Sequence, residues 1–315
     1  MDNLAMRSKR EAIKRSRRFL WQRQKYLYLM ILPAFLFLII FSYLPMYGIT
    51  IAFQDYNPRL GFASPFVGLK HFQKLFTDMF FQRAFRNTVM INLYKLVFEF
   101  PAPIILALLI NEIRRGSVKR VIQTITYMPH FLSWVIVAGF VITILSPNNG
   151  IIAVVSEYFT GTKSDLYMMI NEKYFRGVLV GSSIWKEIGW SSIIYMAAIS
   201  SVDPTLYEAA VCDGAGKAKQ LWKITLPCIF PTIAVMLILR IGGMLGSDFE
   251  QVFAMANHNV YSVGDVISTY VYRAGLKGMA YSYGTAVGFS MSAIGFFLLT
   301  GANLISKKLL DTSLW

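Results

Sequence analysis

The sequence predicts an all-α integral membrane protein in which six helices cross a bilayer and both termini lie on the cytoplasmic side. Three observations carry this reading. Of 315 residues, 55% are hydrophobic and only 15% charged, and the apolar residues fall into long runs, where ~20 are enough to cross the hydrocarbon core. The formal net charge of +14 would suggest nucleic acid in a soluble protein, but the basic residues sit beside the apolar runs in alternate loops and act as topology signals. No polar stretch between the runs has the character of a second soluble domain, and no internal repeat is visible.

In order along the chain, residues 1–25 form a basic arm (Arg7, Lys9, Arg10, Lys14, Arg15, Arg17, Arg18, Arg23, Lys25) suited to an anionic inner leaflet. The apolar run behind it is too long for a signal-peptide core and lacks a small-residue cleavage site. The transmembrane domain is expected over 26–306. Its first span runs from Tyr26 to Gly48 with tyrosines at both ends, and a polar stretch with turns at Asn57-Pro58 and Ser64-Pro65 follows. The second span is Phe85–Ile110, closed by Arg114, Arg115, Lys119 and Arg120 on the inside. The third is Val121–Leu145, followed by a loop to Arg176 with no basic excess. The fourth is Val178–Ser200, the fifth Ile229–Gly246 and the sixth Tyr283–Ile305, leaving a short cytoplasmic tail over 307–315. The loop Ser247–Ser282 has no basic excess and reads as outside.

Between the fourth and fifth spans lies a polar, glycine-broken segment, 203–227. Asp203 caps a helix with Pro204 in its first turn. Thr205 and Glu208 have capping-box spacing. Gly214 and Gly216 stop the helix, and a second short amphipathic helix is expected before Leu226-Pro227. Glu208-Ala209-Ala210, Gly214 after three more residues, then nine residues before Ile224-x-Leu226-Pro227 is a gapless pattern that capping alone does not explain. It resembles the EAA loop of the inner-membrane permeases of bacterial ABC importers, of the carbohydrate-uptake, MalF/UgpA-like family with the MetI-like fold. The start of the chain, Leu32–Phe76, looks like that of LplB-type permeases, which narrows the family to carbohydrate importers. The resemblance implies an ATPase-coupling role for Tyr207, Glu208, Ala209, Ala210, Asp213, Gly214, Ala215, Ile224, Leu226 and Pro227. It also implies a second homologous permease subunit, two ABC ATPase subunits and an extracytoplasmic solute-binding protein that delivers an oligosaccharide.

Ionisable and aromatic residues inside spans mark a candidate substrate path. Lys95 and Glu99 have i, i+4 spacing and can neutralise each other within one helix. Arg240 has no partner in its own helix. In the fourth span Trp185, Lys186, Glu187 and Trp190 mix aromatic platforms with polar groups, as a sugar path wants, and Lys186 shares a helix face with Trp190. Asn92 and Tyr94 complete the set. Trp185 equally suits helix packing or the outer interface. Lys95, Lys186 and Arg240 would suit an anionic, uronate-containing sugar.

The chain has no phosphate-binding loop, no metal-ligand cluster among His71, His130, His258, Cys212 and Cys228, and no nucleophile with a histidine partner. Gly242, Gly243 and Gly246 read as close helix packing. It is therefore expected to be a transport subunit rather than an enzyme, binding no cofactor or metal itself, with ATP and Mg used by the partner ATPase in the bacterial cytoplasmic membrane. The competing readings are an ABC importer permease for a non-sugar solute, against which the LplB-like start and the aromatic fourth span count, a membrane sensor, and a secondary transporter, which would not need an EAA loop.

Overall fold

A computed structural model describes residues 24–147, 150–162, 166–246, 248–310 and 313–314. The basic arm, apart from Gln24 and Lys25, lies outside the described residues. The chain divides into a unit ending at Val67 and a second, Gly68–Trp315.

The first unit is built on one long apolar helix, α1 (Gln24–Phe53). It carries a π turn at Ile39–Tyr43 and tightens to a 3-10 helix from Leu44, with Pro45 in the first turn of that segment. After it, Leu60 and Gly61 donate to the Asn57 carbonyl (3.0 and 2.9 Å), the turn expected at Asn57-Pro58. Gln54 and Phe66 then form an isolated antiparallel bridge.

The second unit comprises α2 (Lys70–Thr77), α3 (Met79–Asn111), α4 (Gly116–Phe131) and α5 (Trp134–Ile144), α6 (Ile151–Thr160), α7 (Glu172–Ser200), α8 (Pro204–Cys212), α9 (Lys217–Gly243), the short α10 (Phe249–Met255), α11 (Tyr261–Gly264) and α12 (Ile267–Val271), and α13 (Tyr281–Leu310). Among the described residues, four helices (α1, α3, α9, α13) are long and apolar enough to cross a membrane, and a fifth crossing results if the bent α4–α5 pair is one span. α7 is 29 residues long. Its charged residues keep it out of that set, so the six-helix count is not a property of length and composition alone.

Three clusters of apolar side chains hold the second unit together. Ala107 of α3, Tyr195 and Ile199 of α7 and Ile229 of α9 meet at one end. Ile91, Ala138, Phe175, Leu179, Val252 and Val266 meet at the other. Leu75, Phe81, Tyr270, Tyr283 and Val287 join α2, α3, α12 and α13. Helix α7 crosses α4 so closely that a Cβ on Gly189 would fall onto the Thr126 carbonyl. Gly242 packs against Leu299, whereas Gly243 and Gly246 face open space, so close packing applies to the first of the three only.

Several boundaries differ from the sequence reading. The third span is not straight: α4 and α5 meet at 103°. Pro129 lies in a 3-10 turn at the end of α4, and the Ser133 hydroxyl accepts from Ile136 N (3.4 Å) as the N-cap of a new helix. The Thr205–Glu208 capping box is not used, because the N-cap is Asp203, whose carboxylate accepts from Thr205 N at 2.9 Å. The second short helix of the EAA segment is not separate. It runs without a break from Lys217 through a π turn at Leu221–Thr225 into the fifth span. The π turn sits just ahead of Pro227, and Leu226 N donates back to Leu221 O. A residue without an N–H is thus absorbed without breaking the rod. Finally, the loop after the fifth span is a folded layer of α10–α12 rather than an open connection.

Candidate functional site: a coupling elbow and a charged cavity

The elbow at 203–217 is built by caps at both ends. Asp203 holds the N-terminus of α8, and the bonds from Thr205 keep its carboxyl below the usual carboxylate range. At the other end Ala215 N donates to Ala210 O (2.8 Å) and Gly214 N to Val211 O (3.0 Å), with Gly214 at φ 71°. This is a Schellman turn, and its left-handed position explains the glycine of the EAA pattern. Gln220, buried, donates to Ala215 O (2.9 Å), and the Tyr207 and Thr225 hydroxyls bond at 2.9 Å. Together they brace α8 against the base of α9. Glu208, Ala209, Asp213 and Pro227 are exposed, while Tyr207, Ala210, Ala215, Ile224 and Leu226 are half-buried. Trp222 (68% exposed), Val211 and Leu206 stand out of the same elbow. The exposed surface of the elbow thus mixes these apolar side chains with Glu208 and Asp213, a feature the motif alone does not announce. Lys217 reaches Glu112 at 3.6 Å, so the turn after α3 lies at this end of the molecule too.

The candidate path residues divide into four groups. Glu99, Glu187, Trp190 and Arg240 come together around a cavity of about 460 Å³ between α3, α7 and α9, along with Tyr195 and Met236. Trp185 lines a different, almost wholly apolar recess with Leu132, Phe140 and Ile144. Tyr94 lines a third with Arg176 and Glu172. Asn92, Lys95 and Lys186 are buried among their partners and line none of these.

The expected Lys95–Glu99 neutralisation is a minor contact, at 4.0 Å. Lys95 is only 1% exposed, and its ammonium donates to Asp248 Oδ1 (2.6 Å) and Gln251 Oε1 (2.7 Å). Asp248 also accepts from Asn92 (3.3 Å), and Gln251 donates to Leu179 O (2.6 Å) and Ser182 Oγ (3.0 Å). A carboxylate at 2.6 Å outcompetes one at 4.0 Å for a buried ammonium. Glu99 is thereby released to face Arg240 at 3.5 Å, which gives Arg240 the neighbouring-helix partner its own helix lacks. The result is a line of alternating charge, Arg240–Glu99–Lys95–Asp248, running from the cavity wall to the start of α10. Glu99 Oε2 and Arg240 Nη2 are buried without a hydrogen-bond partner and are held by the ion pairs alone, Glu99 Oε2 to Lys95 at 4.0 Å and Arg240 Nη2 to Glu99 Oε1 at 3.5 Å.

Against Glu187 and Trp190 of α7, His130 sits at the α4–α5 break. Its ring stacks on Trp190 (4.5 Å, 1° between planes), and its Nδ1 lies 2.8 Å from Glu187 Oε2. Lys186 donates to the His130 carbonyl (2.7 Å) and to Glu187 (3.2 Å). The face shared by Lys186 and Trp190 is real, but it converges on His130, and Lys186 serves the wall rather than the lumen. Sequence reasoning missed His130, Asp248 and Gln251. The Pro129 and Ser133 signals around His130 were readable; nothing local marks Asp248 or Gln251.

Residues 99–311 match the family of binding-protein-dependent transport system inner membrane components. The chain belongs to this family. It is 48% identical over 287 residues to the polygalacturonan/rhamnogalacturonan transport system permease protein YteP of Bacillus subtilis (strain 168), covering 91% of this chain and 89% of that one. It is 47% identical over 288 residues to protein LplB of the same organism, covering 91% and 90%. A chain in the crystal structure of a bacterial alginate ABC transporter in complex with an alginate pentasaccharide-bound periplasmic protein superposes with a TM-score of 0.86 at 40% identity, covering 93% of this chain and 98% of that one. The MetI-like permease fold and the role of transport subunit rather than enzyme follow from this membership. So does dependence on a binding protein, which sets aside the sensor and secondary-transporter readings.

Proposed function

We propose that the chain is one half of the membrane channel of an ATP-driven importer of oligosaccharides, among them uronate-containing fragments of acidic polysaccharides, in the bacterial cytoplasmic membrane. α1, α3, the bent α4–α5 pair, α7, α9 and α13 make six crossings, with the elbow and both termini in the cytoplasm. The basic turn at Arg114–Arg120 and Lys307–Lys308 support that orientation. A second, homologous permease completes the channel. Two ATPase subunits, using ATP and Mg, engage the elbows through Glu208, Asp213 and the apolar side chains around them. A binding protein delivers sugar from outside. Because α8 is braced to α9 by Tyr207–Thr225 and Gln220, a push on the elbow travels along one continuous helix to Arg240 at the cavity.

The observation that carries the substrate reading is the cavity wall itself. It sets the Trp190 indole beside the Arg240 guanidinium and the Glu99 carboxylate, and a sugar presents C–H faces to stack and hydroxyls that both donate and accept. The alginate transporter imports an acidic polysaccharide, and Arg240 is the one cation among the cavity-lining residues; Lys95 and Lys186 are already engaged. Arg240→Gln in the reconstituted complex is therefore expected to slow uptake of a uronate oligosaccharide at least tenfold while changing uptake of a neutral one of equal length by less than threefold. Equal effects on both sugars would overturn the anionic part of the reading, and no effect on either would remove Arg240 from the path.

A further inference from the structure

Helix α6 (Ile151–Thr160) has its apolar stripe on the wrong side for a helix that packs on its own protein. Ile151, Val154, Val155, Tyr158 and Phe159 recur at i, i+3, i+4, i+7 and i+8, the spacing of one helix face, and every one of them is exposed, Tyr158 at 84% and Phe159 at 78%. The small side chain of Ala153, on the opposite face, is the buried one (1%). The polar side is closed on itself. The Ser156 hydroxyl donates to Thr162 O (3.1 Å) and the Thr160 hydroxyl to Ser156 O (2.7 Å), and Gly161 ends the helix in a left-handed turn. The stripe holds no polar atom other than the Tyr158 hydroxyl, so it offers a protein partner almost nothing to specify.

What borders it is α5. Gly150 N donates to Ser146 O (2.9 Å) and Val154 N to Gly150 O (3.1 Å), so α6 starts directly from the turn that ends α5. Val135, Ile136, Phe140 and Ile144 of α5 are likewise exposed, while its other side, at Ala138, Val141 and Leu145, packs in the cluster formed with the first turns of α7 and with α10. In an inner-membrane protein an exposed apolar helix surface of this kind faces acyl chains. The stripe of α6 follows that surface directly in the chain and ends at Tyr158 and Phe159, the tyrosine being a residue type that favours the headgroup boundary.

We infer that α6 lies in the plane of the outer leaflet with Ile151, Val154, Val155, Tyr158 and Phe159 sunk into the headgroup–acyl boundary. It serves as a lipid-facing strut beside the bent third crossing and not as a docking face for another chain. The choice of leaflet rests on the orientation proposed above; the lipid contact itself does not.

The test uses the complete complex in liposomes, in a Cys212→Ser, Cys228→Ser background, with nitroxide labels on single cysteines placed at 154, 157, 158 and 160. Collision with oxygen, which concentrates in lipid, is compared with collision with a water-soluble nickel chelate. Labels at 154 and 158 should favour oxygen over nickel severalfold, with the ratio reversed at 157 and 160, and adding sugar-loaded binding protein should leave the pattern unchanged. Protection of 154 and 158 from both reagents would mean that another protein chain covers the stripe. Protection that arises only with the binding protein would name that protein as the occupant, and free access of nickel would mean water. Any of these overturns the inference. Sugar uptake by the unlabelled complex is measured separately, so failure of the functional reading and failure of the lipid contact are distinguishable.

Discussion

Lys95 is fully buried near the middle of an apolar span, and its environment decides what the neighbouring charges can do. Removing an ammonium from water costs several kcal/mol, recovered only when close, well-aligned partners surround it. Asp248 and Gln251 are those partners, and their grip leaves Glu99 to Arg240. Lys95→Met should leave the Asp248 carboxylate uncompensated and destabilise the complex by about 3–5 kcal/mol, the usual cost of breaking a buried pair from one side. The double variant Lys95→Met, Asp248→Leu should recover most of that loss, because replacing both partners by apolar groups is far cheaper. Thermal unfolding of the detergent-solubilised complex checks both, and equal instability of single and double variants would contradict the pairing. At this scale the sequence was half legible. It marked Lys95, Glu99 and Arg240 as costly and therefore purposeful, but paired Lys95 with its i+4 neighbour. Helical spacing shows which groups share a face. It cannot show that the chain returns 153 residues later with a carboxylate at 2.6 Å, held on a left-handed backbone at Asp248 (φ 75°).

Among the elements, α9 has the most consequence. A proline following a polar loop reads naturally as the start of a new helix, which is why a separate short helix was expected before Leu226-Pro227. The π turn at Leu221–Thr225 makes that division unnecessary and turns loop and span into one 27-residue rod. Gly214 then carries the only sharp reversal between α8 and α9. Because a β-branched residue at φ 71° is strained by about 1–2 kcal/mol, Gly214→Val should open the Schellman turn and reduce coupled uptake by more than half. The chain should stay inserted in the membrane, since Gly214 lies outside the spans. Gly214→Asn, which tolerates the left-handed region, should retain most uptake. Transport and membrane fractionation of the two variants check this, and matched activity of Val and Asn would contradict the geometric role. The break between α4 and α5 was hidden by the opposite property. The run from Val121 to Leu145 is almost uniformly apolar, so its hydropathy carries no interruption. Only Pro129 and the capping serine Ser133 record the bend that brings His130 against Trp190.

For the molecule as a whole, the alternation of basic and non-basic loops predicts an order of crossings, and the second unit separates two ends. Glu112, Lys217 and α8 lie at one end, and Asn87, Arg176 and Asp265, joined by hydrogen bonds, at the other. α7 is the instructive case. Lys186 and Glu187, with the serines and glycines around them, lower its hydropathy, yet Arg176, Lys186 and Glu187 all find partners within the unit. The charge that weakens its membrane signal is the charge that builds the cavity wall. In the function proposed above, the exposed elbow around Glu208 and Trp222 and the open side of the cavity are completed by partner chains, which a single sequence does not carry.

The central claim is that the elbow transmits ATPase motion to the cavity. It is tested most directly by ATP hydrolysis of the complex of this chain, its partner permease and the ATPases in liposomes, with and without sugar-loaded binding protein. The account predicts severalfold stimulation by the loaded binding protein that disappears in Glu208→Lys while assembly of the complex persists. Stimulation that survives Glu208→Lys at the wild-type level would contradict it.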